Sequence, residues 1–412
     1  MTEKRNITKE DIFLKARILS EGIRVKVKKR PETGIAFLRP IVLDGCDLVV
    51  MPLPNSYSRL EAVVNGNDVT IFDMGKVLSK GKLEVRRSWR DEMMSHGKPA
   101  DIVFMLSASS ASIINIIINF RCYNYDSGQG CKYCGLFARS ISKNTPVSVT
   151  QKYTALQVEM AVIAAKNGWR GTIVLSGGAL PPSQRGQMID NIERIMTQFR
   201  ESLDEKILSQ LHIGANVYPP KDFEEMYKWK DLGVNAAEFD LEVMDPAYFR
   251  AICPGKSKVC PHERWKEAQE AAVDIFGRGR GTYQSLVTGI EPMSSLVEGV
   301  EERISKGIYS APLFFVPTPG TPYAQFRPPT ADWFVKANEK MADIYFRYAD
   351  SLDINLLTDN RPGFTRMGLS YPLIILRDEM ARRLQEQGKF PPGLPSQDFI
   401  EETPEAVSFG NS

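Results

Sequence analysis

The rhythm of apolar positions changes near residue 110. Beyond it, short apolar runs alternate with stretches of helical period, the pattern of strand followed by helix. Six extended runs are predicted, at 112–120, 171–175, 211–217, 235–243, 282–288 and 310–316. Predicted helices follow them at about 154–167, 184–201, 222–232, 262–276, 294–306 and 332–346. In the first helix Val158, Ala161, Val162 and Ala165 share one face, and Gly168 ends it. Repeated strand–helix units argue for an α/β fold with a parallel sheet. Six in order predict a partial (β/α)6 TIM-like barrel over residues 106–350, with the active site in the loops after the strands' carboxyl ends.

Residues 1–105 read differently. A helix is predicted at 7–21, then short extended runs at 24–27, 41–43, 48–51 and 69–72. Turn signals separate them at Pro31-Glu32-Thr33-Gly34 and Asn65-Gly66-Asn67-Asp68. This predicts an added N-terminal α+β or β-rich portion. Residues 351–412 form a C-terminal extension, with a turn at Arg361-Pro362-Gly363-Phe364, a helix at 373–387 and a loop-like tail from Pro391 to Pro395. There is no internal repeat or low-complexity tract.

Composition narrows the function. The 412 residues are 43% hydrophobic and 25% charged, an ordinary globular profile. The net charge of +2 gives no general electrostatic case for nucleic acid or an anionic membrane. The polar N-terminus lacks the apolar core of a secretory signal, and the longest apolar run, around 113–118, is too short to span a bilayer. A cytoplasmic location is expected, a reducing setting that also suits free thiols.

The densest chemistry lies in the loop after the first barrel strand, where Cys122, Cys131 and Cys134 fall within thirteen residues. Three thiolates on one loop can hold three corners of a four-iron cluster and leave the fourth iron open to a substrate or cosubstrate. Structural zinc wants four ligands, and none of the three histidines, His96, His212 and His262, is near. A disulfide cannot use three cysteines evenly. Three unrelated buried cysteines remain the plain alternative.

With this loop after the first strand, the chain resembles a radical S-adenosylmethionine (SAM) enzyme. Cys131-Lys132-Tyr133-Cys134-Gly135 is similar to that superfamily's pattern, including the aromatic Tyr133 before the last cysteine. The eight residues between Cys122 and Cys131 exceed the commonest spacing of three. Ser176-Gly177-Gly178-Ala179 resembles the glycine pair that receives the SAM amino group, with Ala179 in place of the usual acid. The segment 239–250, followed by Glu263-Arg264-Trp265, resembles the fourth-strand region of the biotin synthase and hydrogenase-maturase branch. Glu242 and Arg264 match the acid and base that hold the amino acid part of SAM there, and Asp240 replaces a basic residue. The run 314–322, with Pro317-Thr318-Pro319-Gly320, resembles that branch's sixth-strand exit.

The resemblance covers residues 112–325. It implies a [4Fe-4S] cluster on Cys122, Cys131 and Cys134, and SAM held by Tyr133, Gly177, Gly178, Glu242 and Arg264. It further implies reductive cleavage of SAM to a 5′-deoxyadenosyl radical that abstracts hydrogen from a small molecule or cofactor precursor. The electron would come from a reductant such as ferredoxin or flavodoxin, and anaerobic conditions are expected. Asn216, Tyr218, Tyr283 and Gln284 are expected near the barrel lumen. Cys46, Cys253 and Cys260 leave open a second Fe–S cluster, as in sulfur-inserting relatives, or ordinary structural roles. A non-catalytic metal-binding scaffold is the reading from another class. Neither Glu242 nor the glycine pair would be needed in one.

Overall fold

The computed structural model describes residues 4–29, 39–84, 88–110, 113–135, 147–352, 373–390 and 392. The predicted turns at 31–34 and 361–364, and the predicted tail apart from Pro392, lie outside them.

Helix α1 (Lys9–Glu21) starts at a capping box. Thr8 Oγ1 accepts from Asp11 N at 3.2 Å, and Asp11 Oδ2 accepts from Thr8 N at 2.8 Å. Six strands follow: β1 (Arg24–Lys29), β2 (Ile41–Leu43), β3 (Val49–Val50), β4 (Leu60–Asn65), β5 (Asp68–Asp73) and β6 (Lys76–Leu83). They form one sheet in the order β1-β4-β5-β6-β2-β3, antiparallel except for the parallel β1–β4 pair. Asn65-Gly66-Asn67-Asp68 is the expected hairpin turn, with Asn65 opposite Asp68. Strands β4 and β6 were not predicted. Leu60, Ala62 and Val64 of β4 alternate inward as a half-buried strand should. Four of the eight β6 residues are lysine or glycine, and the strand carries no such signal.

Helix α2 (Ala100–Ser107), also not predicted, leads into the second sheet. Its strands are β7 (Ala108–Ser110), β8 (Ile113–Asn119), β9 (Thr172–Gly177), β10 (His212–Asn216), β11 (Ala236–Glu238), β12 (Thr282–Thr288) and β13 (Tyr309–Phe314). Their order is β13-β12-β11-β10-β9-β8-β7. The six strands β8 to β13 are thus parallel and in chain order, and β7 pairs antiparallel at the β8 edge. This is an α/β fold built on a parallel sheet.

Between these strands lie α3 (Tyr123–Asp126), α4 (Val147–Lys166), α5 (Gln187–Ser202), α6 (Glu205–Leu208), α7 (Glu225–Asp231), α8 (Pro246–Ile252), α9 (Pro254–Val259), α10 (His262–Phe276) and α11 (Met293–Ser305). Helices α12 (Ala331–Arg347) and α13 (Leu376–Glu386) come last.

The predicted fourth strand, 235–243, is shorter than expected, since β11 ends at Glu238. The reason is local. Asp240 Oδ1 accepts from Ser285 N at 2.6 Å, so a side chain takes a donor that a continued ladder would use.

A buried ion pair ties the first described helix to the last. Lys15 Nζ on α1 meets Asp378 Oδ2 on α13 at 2.7 Å, with side chains 2% and 4% exposed. Ile7 N donates to Gln385 Oε1 at 2.8 Å beside it. Burial pushes the lysine pKa down and the aspartate pKa up despite the pairing. Lys15→Ala is expected to cost about 3 kcal/mol in denaturant unfolding, because it strands a buried carboxylate. Lys15→Met with Asp378→Leu should recover most of that loss. A Lys15→Ala cost below about 1 kcal/mol, the range of exposed pairs, would contradict the argument.

Candidate active site

The cysteine loop leaves β8 at its carboxyl end and is pinned on three sides. At the first, Asn119 Nδ2 donates to the Gly178 carbonyl at 2.9 Å, Gly178 N donates to the Asn119 carbonyl at 2.8 Å, and Tyr123 N donates to the Ala179 carbonyl at 2.8 Å. At the second, Lys132 N donates to the Ile252 carbonyl at 3.0 Å and Gly255 N to the Gln129 carbonyl at 2.9 Å. At the third, Tyr323 N donates to the Lys132 carbonyl at 3.0 Å, and the Thr318 side chain abuts Gly135. The exits of β9 and β13 and the α8–α9 corner therefore all meet the loop, as the sequence implied for the first two.

Cys122 is the N-cap residue of α3, and Cys122, Cys131 and Cys134 are half-buried thiols outside any disulfide. Among the described residues no three His, Cys, Asp or Glu side chains are grouped to hold a single metal ion. The Cys131 pKa is lowered by its hydrogen bond with Cys253 and by the Lys256 ammonium, against the cost of burial. Tyr133 is pushed well up by burial and by nearby Glu242.

The glycine pair has a packing reason. A Cβ on Gly178 would overlap the Arg121 carbonyl and the Cys122 backbone, and one on Gly177 would overlap the Asn119 carbonyl. Only glycine lets the β9 exit lie this close to the cysteine loop.

Glu242 stands out by its backbone. It has φ 70°, and Val243 N donates to the Leu241 carbonyl at 2.8 Å, so Glu242 is the centre of a three-residue turn. Such a turn with positive φ is strained for a residue bearing a Cβ. Neighbouring groups hold it there. Val287 N donates to the Glu242 carbonyl at 2.8 Å. Just past the turn, the buried Glu291 carboxylate accepts from Met244 N and Asp245 N at 2.9 Å each.

Burial pushes Glu291 up to about 7 from an ordinary 4.5. The folded state therefore holds this proton where the unfolded chain has released it. Glu291 favours folding fully below pH about 4.5, and that contribution is lost as pH rises to about 7. Glu291→Gln is expected to flatten the fall in melting temperature across that window. An unchanged slope would remove Glu291 from the account.

The cation beside Glu242 is Lys256 of α9, which sequence reasoning did not single out. Lys256 Nζ also donates to the Asp240 carbonyl at 3.1 Å and lies 4.7 Å from the Trp265 ring centroid. Arg264, expected as the base near Glu242, points elsewhere. Its guanidinium stacks on Phe223 at 3.7 Å and pairs with Glu267 at 3.0 Å and the Lys221 carbonyl at 2.8 Å. The cause is helical geometry. Trp265 turns inward, 1% exposed, and its neighbour on α10 turns away.

Below the turn lies an acidic cluster. Asn216 Nδ2 donates to Asp240 Oδ2 at 2.8 Å, and Ser285 Oγ donates to Glu238 Oε1 at 2.7 Å. Burial and the Glu242 charge push Asp240 up to about 6, and burial with Asp240 pushes Glu238 well up. Tyr283 lies with this cluster. Gln284 does not. It accepts from Gln269 of α10 at 2.9 Å on the opposite face, since successive strand residues alternate. Tyr218 accepts from Asn124 Nδ2 at 2.5 Å.

The remaining cysteines have separate surroundings. Cys46 is buried near Arg5 and Asp11, Cys253 faces Cys131, and Cys260 lies near Arg185. A cleft of about 340 Å³ opens beside the glycine pair, lined by Gly177, Gly178, Asn216, Tyr218, Lys256 and Trp265 among others. No described helix is long and apolar enough to cross a membrane.

No family model matches the chain. Over 395 residues it is 47% identical to the bacteriochlorophyllide c C-7(1)-hydroxylase of Chlorobaculum limnaeum, covering 94% of this chain and 98% of that protein. It is also similar to the crystal structure of methylornithine synthase, at 15% identity and a TM-score of 0.41, over 71% of this chain and 86% of that one. With nearly half of its residues shared across almost the whole length of both proteins, the chain belongs to the family of the bacteriochlorophyllide c C-7(1)-hydroxylase.

Proposed function

We propose that the protein hydroxylates a bacteriochlorophyllide-type tetrapyrrole at an unactivated C–H bond, the C-7(1) carbon being the expected position. The identity to the hydroxylase over nearly its full length carries this reading. The donor chemistry suits a [4Fe-4S] cluster: three thiols on one loop pinned by backbone hydrogen bonds to three neighbouring segments. Cys122, Cys131 and Cys134 would hold the cluster. Tyr133, Gly177, Gly178 and Glu242 would hold SAM, with Lys256 rather than Arg264 as the cation at its amino acid end. When bound, cluster and SAM supply a hydrogen-abstracting 5′-deoxyadenosyl radical. The sum is one SAM, one substrate methyl and one water giving methionine, 5′-deoxyadenosine, a hydroxymethyl group and a proton.

The chain's own tasks are to seat these groups and exclude water from them. The six parallel strands would curl as a partial (β/α)6 barrel whose carboxyl ends carry the site. The N-terminal portion (1–105) and the C-terminal extension (351–412) would be additions to it, and a ferredoxin or flavodoxin would bring the electron in the cytoplasm. Sulfur insertion is disfavoured, because Cys46, Cys253 and Cys260 do not share one environment.

The test is anaerobic incubation with bacteriochlorophyllide c, SAM and dithionite in ¹⁸O-labelled water. Labelled hydroxylated pigment, formed together with 5′-deoxyadenosine, is expected. Unmodified pigment alongside 5′-deoxyadenosine would refute the substrate assignment.

A further inference from the structure

We infer that Cys253 is a fourth thiolate for the cluster, held on the open iron until SAM displaces it. The inference rests on the cluster reading above and adds a ligand from outside the cysteine loop. Cys253 is the junction of α8 and α9. Its N donates to the Phe249 carbonyl at 2.9 Å, and its carbonyl accepts from Ser257 N at 3.0 Å. The residue is fully buried, and its thiol contacts Cys131.

The backbone holds it there. The hydrogen bonds from Lys132 to Ile252 and from Gly255 to Gln129 bracket Cys253 and fix this corner to the cysteine loop. A Cβ on Gly255 would overlap the Asn124 side chain and the Gln129 carbonyl, so glycine permits the close approach. With the backbone fixed, one side-chain torsion sets where the sulfur points. Cys253 also lies where SAM is expected. Burial, then Glu242, Cys253, Cys131 and Cys134, push Tyr133 up, so these four groups surround one ring. Lys256, the cation beside Glu242, follows three residues later. Cys46 and Cys260 have other neighbours. A cluster with four cysteine ligands has no site for a cosubstrate, so this ligand must leave. On exchange the bond from iron to the Cys253 sulfur breaks, and the amino acid end of SAM takes its place. The thiolate gains one proton, the SAM ammonium loses one, and no electron moves.

The test reads the cluster itself rather than turnover. Wild type, Cys253→Ala and the near-isosteric Cys253→Ser are reconstituted anaerobically without SAM and treated with ferricyanide. This oxidant strips an iron that lacks a protein ligand, and electron paramagnetic resonance detects the three-iron cluster left behind. The wild type is expected to keep its fourth iron and both variants to lose it. SAM affinity is measured on untreated samples. With Cys253 on the iron in about nine-tenths of molecules, its removal should tighten SAM binding about tenfold, because the competent fraction scales the apparent affinity. A thiol kept only for packing would show the reverse, a lower melting temperature and weaker SAM binding.

Equal loss of the fourth iron in wild type and variants would overturn the inference. So would SAM binding that is unchanged or weakened in both variants. If the wild type takes up no iron, the cluster reading fails and takes this inference with it.

Discussion

Glu242→Gln is expected to weaken SAM binding by about 100-fold while leaving iron content unchanged. Glu242 is mostly buried beside Lys256, and in the proposed complex its carboxylate would pair with the SAM ammonium in that desolvated setting. Removing one partner of such a pair costs roughly 3 kcal/mol, and each 1.4 kcal/mol is tenfold in affinity. The turn gives a second readout. At φ 70° a glycine is relaxed where a glutamate is strained. Glu242→Gly combined with Lys256→Met should therefore fold at least as stably as the wild type, yet bind no SAM. A residue kept for stability would show the reverse, a lower melting temperature with SAM affinity intact.

Serine at Cys122, Cys131 and Cys134 together is expected to abolish cluster assembly and all 5′-deoxyadenosine release. Cys46→Ser and Cys260→Ser should leave both unchanged, because those thiols lie near other partners in the core. Cys253→Ser is the sharper control. Its thiol contacts Cys131, so some loss of cluster stability is expected with the iron count preserved. Full iron content in the triple variant would place a cluster elsewhere in the chain.

Much of the fold that brings these candidate residues together was legible along the chain, for physical reasons. The parallel strands are buried on both faces and read as apolar runs, and Thr282–Thr288 and His262–Phe276 have the predicted bounds. The cysteine loop was visible because its spacing is local. The partner of Glu242 was not, because Lys256 reaches it from a corner fixed by backbone contacts between 252–255 and the cysteine loop. Arg264 looked suitable by distance in sequence, but the inward Trp265 sets the face of α10. Gln284 was placed on the wrong face for want of the β12 register, and β6 was hidden by its lysines. The strained turn at Glu242 has no sequence signal at all, since it depends on Glu291 and Val287 across the sheet end.

The most direct test of the central claim is anaerobic reconstitution with iron and sulfide, followed by SAM and dithionite. About four irons per chain, the complement of one cubane, with 5′-deoxyadenosine released, is the predicted result. Zinc or no metal, with SAM left intact, would contradict it.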